Sequence, residues 1–108
     1  LVVPVGSSAA EIIAAQLPDA KVIKAFNTNF AATLVTKKVA GAAPTVVLYA
    51  GDDEAKAIFA GLFADSGLEL IDAGSLKRAQ QLEALGFLQL TLAMQGKINW
   101  TGGFTLLK

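Results

Sequence analysis

Thr45-Val46-Val47-Leu48-Tyr49-Ala50-Gly51-Asp52-Asp53-Glu54 carries the clearest fold signal in this sequence. The first six residues are apolar or β-branched without alternation. That is the pattern of a strand covered on both faces, as in parallel α/β sheets. Gly51 breaks the run, and Asp52-Asp53 then caps a helix predicted over 54–65, where Ala55, Ile58, Leu62 and Phe63 recur at helical spacing. Ser66-Gly67 stops that helix.

Working outward, Leu68-Glu69-Leu70-Ile71-Asp72-Ala73 reads as a second strand, and Gly74-Ser75 turns it into a long helix over 76–95. On the amino-terminal side, Ser7-Ser8 with Glu11 three residues on is a capping box for a helix over 9–17, ended by Pro18. Lys21-Val22-Ile23-Lys24-Ala25-Phe26 is a short β-branched strand. Asn27-Thr28-Asn29 leads into a short helix over 30–35, followed by a polar exit and a Gly/Ala/Pro linker over 40–44. Alternation of helix and strand argues an α/β layered sheet of about three strands with right-handed crossovers, helices on its faces and a long apolar helix near the C-terminus.

Composition narrows the chemistry. The 108 residues are 54% hydrophobic and 17% charged, with 9 basic against 9 acidic side chains, which allows one domain and offers no electrostatic footprint for nucleic acid or an anionic membrane. There is no His and no Cys, so disulfides, thiolate nucleophiles, Cys/His zinc sites and Ser-His-Asp triads are excluded together. No run reaches the ~20 apolar residues that span a bilayer. Leu1-Val2-Val3-Pro4-Val5 lacks the basic region of a signal peptide and reads as a chain entered partway; a cytoplasmic location is expected.

Few residues offer site chemistry. Phe26-Asn27-Thr28-Asn29 stands at the carboxyl end of a strand, where open α/β sheets bind ligands, and its amides and hydroxyl can orient a carboxamide or a ring. The alternative is a plain N-cap. Asp52-Asp53-Glu54 lacks the calcium-loop pattern and suits the first turn of a helix, so no metal site is expected. Asp72 suits a turn. No strand runs into G-x-G-x-x-G, and no phosphate loop is present. Leu76, Ala79, Leu82 and Leu85 form one helical stripe. The helix then becomes apolar nearly all round with Phe87, Leu88, Leu90, Leu92, Ala93 and Met94, which calls for a second covering surface.

In colinear order, Ser8 to Glu11, Leu17-Pro18-Asp19 through Phe26-Asn27-Thr28, Tyr49 to Lys56, Leu70 to Leu76, Leu82-Glu83 and Gly103 to Lys108 resemble the C-terminal portion of the deazaflavin-dependent NADP oxidoreductase family. The resemblance implies a partial Rossmann-like fold, NADP as cofactor and a deazaflavin or flavin as acceptor. It implies that Phe26, Asn27 and Thr28 lie beside the nicotinamide, with Asn29, Gln80, Gly86 and Gly102 walling the acceptor pocket and no catalytic acid or base. Members of the family can carry His at the position of Asn27, Arg near Gln80 and Thr near Gly86, so a charged anchor for an acidic deazaflavin tail is weakened. The Gly-rich half that holds the NADP phosphates has no counterpart in this sequence. The resemblance further implies a homodimer through the helix around Leu82 to Met94, or docking of the absent half there. A reading from another class is a non-catalytic assembly module using that same helix.

Overall fold

A computed structural model describes residues 3–108; the reading of Leu1-Val2 as an interior start falls outside them. The elements follow the expected order: α1 (Ala9–Gln16), β1 (Ile23–Ala25), α2 (Ala31–Thr36), β2 (Lys38–Val39), β3 (Ala43–Pro44), β4 (Val46–Gly51), α3 (Asp53–Leu62), β5 (Glu69–Gly74), a 3-10 turn (Leu76–Arg78) and α4 (Ala79–Met94). β1, β4 and β5 form one sheet with β4 in the centre. The mixed α/β class holds, with β4 and β5 parallel and joined through α3.

Three expectations are corrected. β1 runs antiparallel to β4, with Ile23 opposite Gly51 and Ala25 opposite Tyr49, so right-handed parallel crossovers do not extend through the whole sheet. The segment read as a linker over 40–44 contains half of a small hairpin, β2 with β3, in which Lys38 pairs with Pro44 and Val39 with Ala43. Ala40 and Gly41 supply the positive φ angles, 54° and 68°, that such a tight reversal needs. The last helix is not continuous from 76, because Leu76–Arg78 winds as a 3-10 turn before α4 begins.

β4 explains the layering. Its successive side chains point to opposite faces. Val47 and Tyr49 face one way and join Phe59 of α3 in the core, with Phe26, Phe63 and Leu70 packed around them. Val46 and Leu48 face the other way, toward Leu85 of α4 and residues 104–106 of the tail. Both faces are covered, as the unbroken apolar run requires. β1 pairs with residues 49–51 of β4, and because it is antiparallel its carboxyl end points toward the start of β4, so the Phe26–Asn29 turn lies near Val46 and not at the carboxyl edge of the parallel strands where the sequence placed it.

Local capping follows the sequence. The Ser8 hydroxyl accepts the Glu11 N–H at 3.1 Å and donates to the Glu11 carboxylate at 2.9 Å. Asp52 accepts the Ala55 N–H at 2.9 Å and starts α3. The Gly74 N–H closes a turn onto the Asp72 carboxylate at 2.8 Å, as expected, and Asp72 also holds Lys56 at 3.0 Å. Lys56 is an unforeseen partner, a buried lysine whose ammonium also donates to the Gly74 carbonyl at 3.1 Å. The Asp72 bond pushes Lys56 above its ordinary pKa against the opposing effect of burial, and Lys56 in turn holds Asp72 below its own.

Candidate functional site

The Phe26–Asn29 turn is built by strain that packing holds in place. Phe26 has φ 66°, a left-handed conformation that costs a non-glycine residue about 1 kcal/mol. Its ring is fixed edge-on between Phe59 at 5.6 Å and Phe63 at 5.4 Å, so the aromatic core absorbs the cost. The chain therefore reverses sharply after β1, and the next three residues point to different neighbours.

Asn27 reaches α4, where its Nδ2 donates to the Leu82 carbonyl at 2.6 Å. Asn29 reaches β4 and donates to the Val46 carbonyl at 2.9 Å, continuing the pairing of β1 beyond its last strand residue. The buried carbonyl oxygens of both amides, Asn27 Oδ1 and Asn29 Oδ1, have no hydrogen-bond partner among the described residues. The cap reading is thus set aside: α2 starts from Phe30 without any side-chain cap bond. Thr28, between them, is buried.

Two cavities flank the turn. An open groove of about 380 Å³ lies on the α4 side, lined by Lys24, Asn27, Phe30, Glu83, Gly86 and Phe87 among others. A more enclosed cavity of about 250 Å³ lies on the tail side, where Val46, Leu48, Leu85, Phe104 and Leu106 supply apolar walls and Thr28 and Thr105 supply hydroxyls. Gly86 is what lets α4 approach: a Cβ there would stand 2.6 Å from the Asn27 carbonyl oxygen and 2.9 Å from Nδ2. Glu83, one turn earlier, pairs with Lys24 at 3.4 Å and takes the Ala9 and Ala10 N–H groups at 2.7 and 3.1 Å. Burial pushes the Glu83 carboxyl up, but those two N–H donors and Lys24 outweigh it and hold the group below its ordinary pKa.

Of the seven residues singled out in the sequence, the structure brings Asn27 and Gly86 together in the groove and places Thr28 on the other cavity. Phe26 is the aromatic anchor beneath the turn, and Asn29 locks the turn to β4. Gln80 sits at the N-terminus of α1, donating to the Gly6 carbonyl at 2.9 Å and to Glu11 at 3.0 Å, and lines neither cavity. Gly102 turns the tail by donating to the Asn99 carbonyl at 2.9 Å and lines neither cavity either.

Gln89 is the residue that sequence reasoning passed over. It is 2% exposed, and its carboxamide bridges two segments: Nε2 donates to the Thr28 carbonyl at 3.0 Å, and Oε1 accepts the Phe104 N–H at 2.7 Å. A signal was available in the spacing. Ala79, Leu82, Gly86, Gln89 and Ala93 recur at alternating intervals of three and four, which puts Gly86 and Gln89 on the inward stripe of α4.

No protein-family model matches the chain, and no curated protein sequence is similar to it at a significant level. Among solved structures, the chain is similar to the crystal structure of a "putative f420 dependent nadp-reductase" from Arthrobacter sp. FB24, with a TM-score of 0.78 and 28% identity. The match covers 95% of this chain and 47% of that one, so the chain spans about half the length of its structural relative. The likeness is one of fold and of sequence. It bears out the resemblance to the deazaflavin-dependent NADP oxidoreductases and the Rossmann-like α/β class.

Proposed function

We propose that this chain forms the acceptor-side half of an NADP-dependent oxidoreductase that passes hydride between nicotinamide and a deazaflavin or flavin-like acceptor, and that it works only together with a segment that binds the NADP phosphates. The observation that carries the reading is the groove beside the Phe26–Asn29 turn, lined by the Asn27 carboxamide side chain and by Gly86. The Asn27 carbonyl oxygen is buried and has no partner among the described residues, which costs about 1–3 kcal/mol, and a rotation of the side chain that turned this oxygen toward the groove would let a carboxamide N–H there remove the cost. The name of the structural relative, an NADP reductase, supports the same chemistry.

The residues present fit the ring end of such a cofactor. Asn27 would orient the nicotinamide carboxamide and the Phe26 backbone sets the angle of the turn, whereas Thr28, which the sequence also offered, faces the other cavity. Of the four residues expected on the acceptor side, Gly86 is proposed because it lines the groove beside Asn27, while Asn29, Gln80 and Gly102 are bonded elsewhere and line neither cavity. NADP(H) supplies the hydride chemistry itself, which asks of the protein placement and exclusion of water and no acid or base. A site with neither His nor Cys suits that demand.

No helix among the described residues is long and apolar enough to cross a membrane, and the proposed setting is the cytoplasm. A second role is favoured by α4 itself. Phe87 and Met94 are each 72% exposed, and together with Leu90 they line a shallow apolar trough along the helix. We assign that face to a homodimer, or to the phosphate-binding segment.

Titration with NADP(H), followed by the fluorescence of Trp100, tests the main reading. Trp100 packs on Phe30 at 5.0 Å, beside the groove, and reports on it. The expected result is negligible binding by the 108 residues at millimolar cofactor and binding when they are joined to a phosphate-binding half. Asn27→Ala should then weaken binding about tenfold, as expected for one hydrogen bond to a carboxamide together with its packing. No binding by the joined protein overturns the proposal.

A further inference from the structure

The enclosed cavity on the tail side of the turn is built differently from the groove at Asn27. Its walls come from the Val46–Leu48 face of β4, from Leu85 of α4 and from the tail, and none of the residues lining it is charged. The tail that closes it is tied down at several points. The Ala40 N–H donates to the Thr101 carbonyl at 2.7 Å, the Thr105 hydroxyl donates to the Pro44 carbonyl at 2.9 Å, and Lys108 pairs with Glu69 at 2.7 Å. Between the first two lies the Phe104 N–H bond to the buried Gln89.

Gln89 is costly to keep where it is. A carboxamide 2% exposed in a mostly apolar helix face is tolerated only because both of its ends are bonded. An apolar side chain would fill the space without that demand. Gly103 fits the same arrangement, since its φ of 132° is open to glycine and a Cβ there would stand 2.7 Å from Gln89 Oε1. Strap and amide are thus matched to each other, and the strap that Gln89 holds at Phe104 supplies three of the cavity's lining residues, Phe104, Thr105 and Leu106.

We propose that this cavity binds an uncharged single-ring aromatic ligand carrying one hydrogen-bonding substituent, with residues 101–106 as its door and Gln89 as the positioning residue that holds the door against Thr28. The volume of about 250 Å³ exceeds the ~150 Å³ that suffices for benzene in an apolar cavity, so a ring and a small substituent fit. A charged ligand is rejected because no lining group compensates its desolvation. The Thr105 hydroxyl spends its proton on the Pro44 carbonyl and keeps lone pairs for a ligand donor, and Thr28 provides a second hydroxyl at the wall. The site is separate from the groove at Asn27 and does not depend on hydride transfer taking place there.

Phenol and benzoate are the probes, read by methyl NMR of the 108-residue protein. Phenol is expected to shift the Val46, Leu48 and Leu85 methyl signals saturably, with a dissociation constant of order 1 mM or tighter, while benzoate leaves them unmoved. Absence of saturable shifts, equal shifts with benzoate, or shifts confined to Leu90 and Met94 overturn the site. Gln89→Met keeps the length of the side chain and removes both bonds. It should speed exchange of the Phe104 amide about fivefold or more and speed phenol exchange, with β4 and β5 amides unchanged. Gly103→Ala pushes on Gln89 from the strap and serves if Gln89→Met does not fold. Unchanged Phe104 and phenol exchange in a folded variant overturn the role given to Gln89. NADP(H) binding reads Asn27 and Trp100 instead, so failure of the oxidoreductase reading is visible separately.

Discussion

Gly86 and Gly61 show what one hydrogen means in two places. At Gly86 an added Cβ meets the Asn27 carbonyl oxygen at 2.6 Å, which is backbone and cannot step aside cheaply. Gly86→Ala should therefore destabilise the protein by about 1–3 kcal/mol, and urea unfolding would show it. At Gly61, inside α3, an added Cβ meets nothing within 4 Å, so Gly61→Ala should stabilise by up to about 1 kcal/mol through helix propensity. The sequence alone does not separate these two glycines, because each stands inside a helical pattern and the difference lies in what α4 crosses. The same holds for Asn27 and Asn29. Their types suit a cap, and only the left-handed turn at Phe26 sends one to Leu82 and the other to Val46. Residue identity announced that polar groups gather at this turn; long-range geometry decided what they do.

Elements were more legible than their partners. The apolar run over 45–50 foretold a strand covered on both faces, and the Ser8 and Asp52 caps foretold where α1 and α3 begin. The direction of β1 was not legible, because a three-residue strand carries no mark of being parallel or antiparallel to a neighbour over twenty residues away. Nor was the second cap of α1. Glu83 on α4 takes the N–H groups of Ala9 and Ala10, a job that sequence analysis assigned to the capping box alone. This contact ties α1 to α4, and it depends on charge. Glu83 binds a proton less readily in the folded state than its ordinary value of 4.5 implies, so its contribution is complete above that pH and is lost as pH falls through the lower folded value. Glu83→Gln should cost about 1–2 kcal/mol at pH 7, in line with losing a charged helix cap. As pH falls below 4.5 the gap between the two proteins should narrow, because the wild-type carboxyl is progressively neutralised. Denaturant midpoints at pH 7 and pH 3.5 check it; an equal gap at both pH values would show that the side chain acts through packing and not through charge.

At the scale of the whole molecule, the high apolar content finds only part of its cover within these residues. The radius of gyration is 14.2 Å against about 13 Å expected for a closed domain of this length, and the shortest dimension is 21 Å, the thickness of a single sheet with thin helical layers. Leu82 and Ala93 are buried, yet Phe87, Leu88, Leu90 and Met94 on the rest of α4 remain 39–72% exposed. On the proposed reading this apolar face of α4 is where a second copy or the phosphate-binding segment docks, since large exposed apolar patches are uncommon on monomers. If two copies meet through α4, a charge at the centre of the trough must be buried without a partner, which is strongly unfavourable. Leu90 stands there, lining both the groove at Asn27 and the trough beside Met94. Sedimentation velocity should accordingly show a dimer for the wild type and a monomer for Leu90→Glu, with the folded state retained because Leu90 is partly exposed in the single chain. A wild-type monomer at high concentration would assign the face to the phosphate-binding segment instead, and fusing that segment should then quench the exposure of Phe87 and Met94 to solvent.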